Sequence, residues 1–247
     1  MKRLRIIGIG PGGVDQLTVE AVAALDDVDV FFVFDKGMDD LVAIRKAILE
    51  RHTDGHARLI ALPDPERDRD PASYEGAVSE WHEKRAVDIE EAFATVGDGE
   101  VGGWLTWGDP ALYDSTARIM DRVLARGKVA FEYDIVPGIS SVQLLTARHR
   151  IMLNRVGESV VYTTGRRLAE RVERGDTDLV VMLDGQLQCA DLDGDDWDIW
   201  WGANLGTPDE ELVSGRLADV LEEIRDARGR AKAARGWVMD VYLLRRR

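Results

Sequence analysis

Apolar positions in the first part of the chain fall into short buried-strand runs separated by helical stripes. Leu4 to Ile9 is an apolar run ending in Gly-x-Gly, the pattern of a strand covered on both faces of a parallel sheet. Thr18 to Leu25 carries a helical pattern with Thr18 as its cap, and Val28 to Phe34 is a second buried strand that ends at Asp35. From Asp39 to His52 the apolar residues Leu41, Ile44, Ile48 and Leu49 fall on one stripe, which predicts an amphipathic helix. Arg58 to Leu62 reads as a short strand, Pro63 to Pro71 as a charged, proline-bounded loop, and Ala72 to Val96 as a long polar helix. A strand then runs into Gly108-Asp109-Pro110, followed by a helix over Ser115 to Arg126 and a strand over Val129 to Val136. Strands alternating with helices predict an α/β fold with a doubly wound parallel sheet.

Pro137-Gly138 closes this series, and a helix from Ser140 to His149 leads out of it. The texture then changes. Ser159 to Thr163, Leu179 to Leu183, Trp197 to Ala203 and Trp237 to Leu244 read as strands, with only two short helices between them, at Arg167 to Arg174 and Leu217 to Arg228. The expectation is two α/β domains, residues 1–147 with the parallel sheet and residues 148–247 with a smaller mixed one. Trp200 and Trp201 are adjacent on a strand and must point to opposite faces, so at most one reaches any given site.

Composition narrows the function. The 247 residues are 45% hydrophobic and 32% charged, ordinary values for a globular protein, and the net charge is −14. An acidic chain lacks the basic face that phosphate backbones need, so nucleic acid is not expected as partner. No apolar run approaches the ~20 residues of a membrane helix. Met-Lys-Arg-Leu-Arg passes straight into a strand without a leader's apolar stretch, and Cys189 is the only cysteine, so a cytoplasmic protein without disulfides is expected. A thiolate metal cluster is excluded for the same reason. His52 and His56 have helical ligand spacing, but Asp54 and Gly55 break the helix between them, and no metal is expected.

Two glycine-rich turns carry the chemistry. Gly8, Gly10 and Gly13 satisfy G-x-G-x-x-G after a strand, and Asp35 ends the next strand, which taken alone is a dinucleotide fingerprint. In that fold, however, the helix opens inside the loop, so that its amides meet the pyrophosphate. Here Gly10-Pro11-Gly12-Gly13 breaks helix, and the helical pattern waits until about Leu17 or Thr18. A dinucleotide fold also has no use for a second ligand-approaching turn at Gly108. There, glycine admits a ligand to the backbone, aspartate offers an acceptor and proline stiffens the turn.

Taken together, Gly8-Ile-Gly-Pro-Gly-Gly-Val-Asp-Gln-Leu-Thr18, Trp107-Gly-Asp-Pro-Ala-Leu-Tyr113 and Val136-Pro-Gly-Ile-Ser-Ser141 resemble the tetrapyrrole methylase family, which methylates corrin precursors and related substrates with S-adenosylmethionine. The resemblance spans essentially the whole chain and is strongest over residues 1–145. It implies two α/β domains with the cofactor in the cleft between them, and a homodimer. By position, it implies cofactor contacts from Pro11, Trp107, Gly108, Asp109, Leu112, Ser140, Ser141, Leu183 and Gly206. Ser140 and Ser141 serve equally well as a helix cap.

Within the family, residues 39–52 and the charged insertion Asp64 to Arg85 resemble one branch. Its members methylate a corrin precursor at C-1 while its C-20 acetyl group leaves as acetate. Methyl transfer from a sulfonium needs alignment and exclusion of water rather than a metal, but acetate loss needs proton handling and an activated water. Asp35 is the candidate acid–base residue; as a strand-end carboxylate it serves equally as a turn cap. The tetrapyrrole's carboxylates call for cations, and Arg45, Arg51 and Arg148, with Tyr113 as a hydrogen-bond donor, are the candidate substrate contacts.

Overall fold

The computed structural model describes residues 2–35, 39–65 and 74–247, with the side chains of residues 35, 39–41 and 74–75 outside that description. The chain divides into two compact units, one of residues 1–10 and 14–139 and one of residues 11–13 and 140–247.

The first unit is a five-stranded parallel sheet in the order β3-β2-β4-β1-β5. Its strands are β1 (Lys2–Gly8), β2 (Val30–Asp35), β3 (Arg58–Pro63), β4 (Val101–Thr106) and β5 (Phe131–Val136). Every residue of β4 is buried, as a central strand between two helical layers requires. The helices α1 (Val19–Asp26) and α2 (Asp39–His52) cover one face, where Ala21, Leu25 and Ile48 pack on Ile7, Phe31 and Leu105. The other face is covered by α3 (Tyr74–Ala94) and α4 (Thr116–Arg126), whose Ile89, Phe93, Ile119 and Met120 meet Leu4, Phe32 and Trp104. Caps fix the helix ends. Thr18 accepts from the Ala21 amide at 3.0 Å, and Gly127 ends α4 at φ 72°, a left-handed position that glycine takes without strain. At the start of α4 the cap comes from Asp114, which accepts from the Thr116 amide at 2.6 Å, and not from Ser115.

The second unit is a mixed sheet in the order β6-β7-β10-β8-β9. It contains β6 (Val161–Thr164), β7 (Asp178–Met182), β8 (Trp197–Ala203), β9 (Glu211–Arg216) and β10 (Asp240–Arg246). Only β6 and β7 run parallel; the other pairs are antiparallel. Three helices, α5 (Ser141–His149), α6 (Leu168–Glu173) and α7 (Leu217–Arg235), belong to this unit. Trp201 is fully buried while Trp200 lies on the opposite face beneath Arg245, as adjacent strand positions demand. Cys189 is buried, and burial pushes its thiol up to about 12, leaving it inert.

Four features differ from the sequence expectation. The unit boundary falls before α5 rather than after residue 147, because Leu145 packs into the β8 sheet against Gly202. Helix α7 runs to Arg235 instead of stopping near Arg228, since Ala227 and Ala231 continue its buried stripe and Gly236 caps it at φ 73°. The last strand starts at Asp240, not Trp237. Strand β9 has no counterpart in the sequence pattern: in Glu-Leu-Val-Ser-Gly-Arg only Val213 is buried, so this edge strand carries almost no apolar signal. Among the described residues no helix is long and apolar enough to cross a membrane.

Candidate active site

Strand order places the candidate site of the first unit. From β1 the chain winds toward β3, and from β4 it winds back toward β5, so the topology reverses between β1 and β4. Open α/β sheets bind ligands at the carboxyl ends of the strands at such a switch point. There Gly10 (φ 77°) and Gly108 (φ 70°) form an isolated antiparallel bridge; Gly108 donates its N–H to Gly10 at 2.8 Å and Gly10 returns one at 3.3 Å. Neighbouring strand ends come equally close. A Cβ on Gly8 would lie 2.6 Å from the Gly138 nitrogen, and one on Gly138 would lie 2.1 Å from the Gly108 oxygen. This end of the sheet is therefore built of backbone, which only glycine permits.

Asp109 holds that arrangement in place. One carboxylate oxygen accepts the Ala111 amide at 2.8 Å and the other accepts the Gly138 amide at 2.9 Å, tying the turn after β4 to the turn after β5. Helix α1 begins only at Val19, so the Gly8–Gly13 loop does not present a helix N-terminus as a pyrophosphate site needs.

The remaining predicted residues separate into groups. Trp107 is half-buried, with the Arg45 guanidinium 5.9 Å from its ring centroid, and Pro11 is buried. The Leu112 amide donates to the Asp109 carbonyl at 3.1 Å. Burial lowers the Arg45 guanidinium to about 10, opposed by Asp114, so it remains a cation at neutral pH. Arg51 makes a different contact, an exposed one with Asp15 at 3.5 Å. The side chain of Asp35, the candidate acid–base residue, lies outside the described residues; its backbone ends β2 opposite Pro63.

In the second unit Ser140 is the N-cap of α5 in a capping box: its hydroxyl accepts from the Gln143 amide at 3.3 Å and its own amide donates to Gln143 Oε1 at 2.7 Å. Ser141 is the first residue of that helix. Arg148 and Gly206 are joined through a residue the sequence did not single out. Glu210 accepts from Arg148 Nε at 2.8 Å and from the Gly206 amide at 2.7 Å.

Two of the predicted contacts share a strained backbone. Tyr113 (φ 54°) and Leu183 (φ 53°) take left-handed conformations that non-glycine residues avoid, yet 41% of Tyr113 and 65% of Leu183 remain exposed. Leu183 is held there by its neighbour. The Asp184 carboxylate accepts from the Gln188 amide at 2.7 Å and the Tyr242 hydroxyl at 2.5 Å, and Gly165 packs so closely that a Cβ would sit 2.4 Å from it. Leu183 thus combines a left-handed backbone with an apolar side chain left in water.

The family model described as Tetrapyrrole (Corrin/Porphyrin) Methylases matches residues 3–221, and the chain belongs to that family. The relative named precorrin-6A synthase (deacetylating) from a Sinorhizobium species is 45% identical over 250 residues, spanning 100% of this chain and 96% of its own length. A solved structure named as a cobalamin synthesis related protein (CobF) from Corynebacterium diphtheriae is 33% identical, covers 99% of this chain and 98% of its own, and superposes with a TM-score of 0.86. The cobalt precorrin-4 methyltransferase CbiF shares the fold at 20% identity and a TM-score of 0.62, covering 98% of this chain and 94% of its own. Family membership displaces the dinucleotide reading of the first glycine loop.

Proposed function

We propose that this chain is a cytoplasmic, homodimeric S-adenosylmethionine-dependent methyltransferase of cobalamin biosynthesis that methylates precorrin-5 at C-1 and releases its C-20 acetyl group as acetate. The observation that carries this reading is full-length identity of 45% with a precorrin-6A synthase (deacetylating). The net charge of −14 and the absence of a membrane-crossing helix among the described residues suit a small-molecule substrate away from nucleic acid and lipid.

The residues fit the cofactor. Its adenosyl and methionyl parts need apolar faces beside exposed backbone polar groups, which strained, exposed Leu183 and the glycine-built strand ends at Gly108 supply. When bound, S-adenosylmethionine supplies a methyl group already activated on a sulfonium. Pro11, Trp107, Gly108, Leu112, Leu183 and Gly206 would line it, with Ser141 at the start of α5. Asp109 and Ser140 act behind them, as both spend their side chains on backbone amides. Arg45, Arg51, Arg148 and Tyr113 would meet the macrocycle's carboxylates. The exposed Arg51–Asp15 contact is worth only ~0–1 kcal/mol and is cheap to exchange for a substrate carboxylate. Asp35, at the end of β2, would take the proton from the attacking water.

Titration with S-adenosylhomocysteine and with NAD(H) tests the cofactor class: saturable binding of the first and none of the second is expected, and the reverse overturns the reading. Turnover of precorrin-5 with methyl-labelled S-adenosylmethionine tests the position, which should appear at C-1.

A further inference from the structure

Beside the switch point, at the carboxyl ends of β2 and β4, lies a recess of about 140 Å³ walled by Phe34, Arg45, Arg85, Thr106, Trp107 and Asp114. Whole-ligand pockets run to ~300–1,000 Å³, so this recess is too small for a cofactor or a macrocycle. At ~30 Å³ for each water-sized group, it holds four or five non-hydrogen atoms, the size of one acid side arm.

Two of its polar groups, Arg85 and Thr106, have a donor to spare. Arg85 is 8% exposed, and its guanidinium is clamped between Phe34 and Trp81, 4.1 and 3.8 Å from their ring centroids. Asp64 engages Arg85 Nε at 2.8 Å and Nη2 at 2.6 Å, which leaves Nη1 without a partner among the described residues. Thr106 is 2% exposed, and its buried hydroxyl has no partner among the described residues either. Asp114, the nearby carboxylate, already gives one oxygen to the Thr116 amide. Guanidinium groups only donate, so the free capacity of the recess asks for an acceptor, and its aromatic walls strengthen any charge pair formed there. Asp64 and Arg85, the two ends of the charged insertion, are joined to each other by this ion pair.

We propose that this recess is a carboxylate subsite, read by Arg45, Arg85 and Thr106, which seats either one peripheral acid arm of the tetrapyrrole or the departing acetate. The assignment of the occupant rests on the proposed reaction; the carboxylate subsite does not.

The test uses the full chain, with sodium acetate and propionate as probes and acetamide as the neutral control. Trp104 and Trp107 line the recess, so a saturable change in tryptophan emission with the acids and none with acetamide is expected. Thr106→Val and Arg45→Met should weaken acetate binding about 10- to 100-fold, the range for a lost hydrogen bond to a charged group, without lowering the melting temperature. Arg85→Lys serves as the milder third variant, because removing the Arg85 clamp threatens folding. In turnover assays, a raised KM for precorrin-5 with an unchanged KM for S-adenosylmethionine identifies a macrocycle arm as occupant. An unchanged KM with weakened acetate inhibition identifies the departing acetate. Acid binding that the variants abolish in a chain with no precorrin-5 turnover supports the subsite and sinks the proposed reaction. Emission unmoved by either acid, or binding indifferent to the variants, overturns the subsite while leaving the reaction standing.

Discussion

The carboxylate of Asp109 receives the Gly138 amide at 2.9 Å and so locks the turn after β4 to the turn after β5. Because Gly8 and Gly108 crowd the same point, this one side chain sets the spacing of three strand ends. Asp109→Ala should leave two amides unmatched and cost about 1–3 kcal/mol, together with a loss of S-adenosylhomocysteine affinity. Asp109→Asn should fall between, since an amide side chain has a single acceptor oxygen. Calorimetric unfolding and titration check this; an alanine variant matching the parent in both would show that the tie carries nothing.

Close backbone approach makes a second prediction. Gly138→Ala places a methyl 2.1 Å from the Gly108 oxygen, where only backbone can give way, so destabilisation should exceed the ~1–3 kcal/mol of ordinary overpacking. Gly127→Ala meets nothing within reach and should cost only the ~1–2 kcal/mol of a left-handed non-glycine residue. Denaturant midpoints of the two variants measure the contrast.

How much of this was legible beforehand depended on where the signal lay. The span from β4 through Gly108-Asp109-Pro110 to α4 was readable because a buried run, a rigid turn and an amphipathic helix follow each other in one stretch. The same stretch did not reveal that Asp109 is consumed by its own backbone, because its partner Gly138 lies 29 residues away. Glu210 was missed for a similar reason: nothing local distinguishes a carboxylate that reaches both Arg148 and Gly206 from any surface acid. The recess was invisible because Arg45, Arg85 and Thr106 come from α2, α3 and β4 and meet only once the sheet is wound. Adjacent cations on α2 read as one patch, yet Arg45 and Arg51 are six residues apart and leave the helix in different directions.

Leu183 offers a trade between stability and binding. Leu183→Gly relieves the left-handed strain at an exposed position, so the melting temperature should hold or rise, corresponding to no more than about 1 kcal/mol. S-adenosylhomocysteine affinity should fall several-fold as the apolar contact disappears. A variant that loses stability and keeps its affinity would mean that Leu183 packs rather than binds.

His149 sets a pH dependence in the second unit. Burial holds its imidazole below the usual 6.5, opposed by its bond to the Trp201 carbonyl and by Glu210. The folded state thus prefers the neutral ring, and its contribution is complete above pH 6.5 and lost as pH falls through the depressed folded value. The melting temperature of the parent should therefore drop faster below that pH than that of His149→Gln. Parallel curves for the two would remove His149 from the explanation.

The reaction itself is tested most directly by counting products. With purified chain, precorrin-5 and S-adenosylmethionine, acetate and S-adenosylhomocysteine should appear together in equal amounts, and only when all three are present. S-adenosylhomocysteine formed without acetate would mean methylation at another ring position without deacetylation, and neither product forming would contradict the proposed activity altogether.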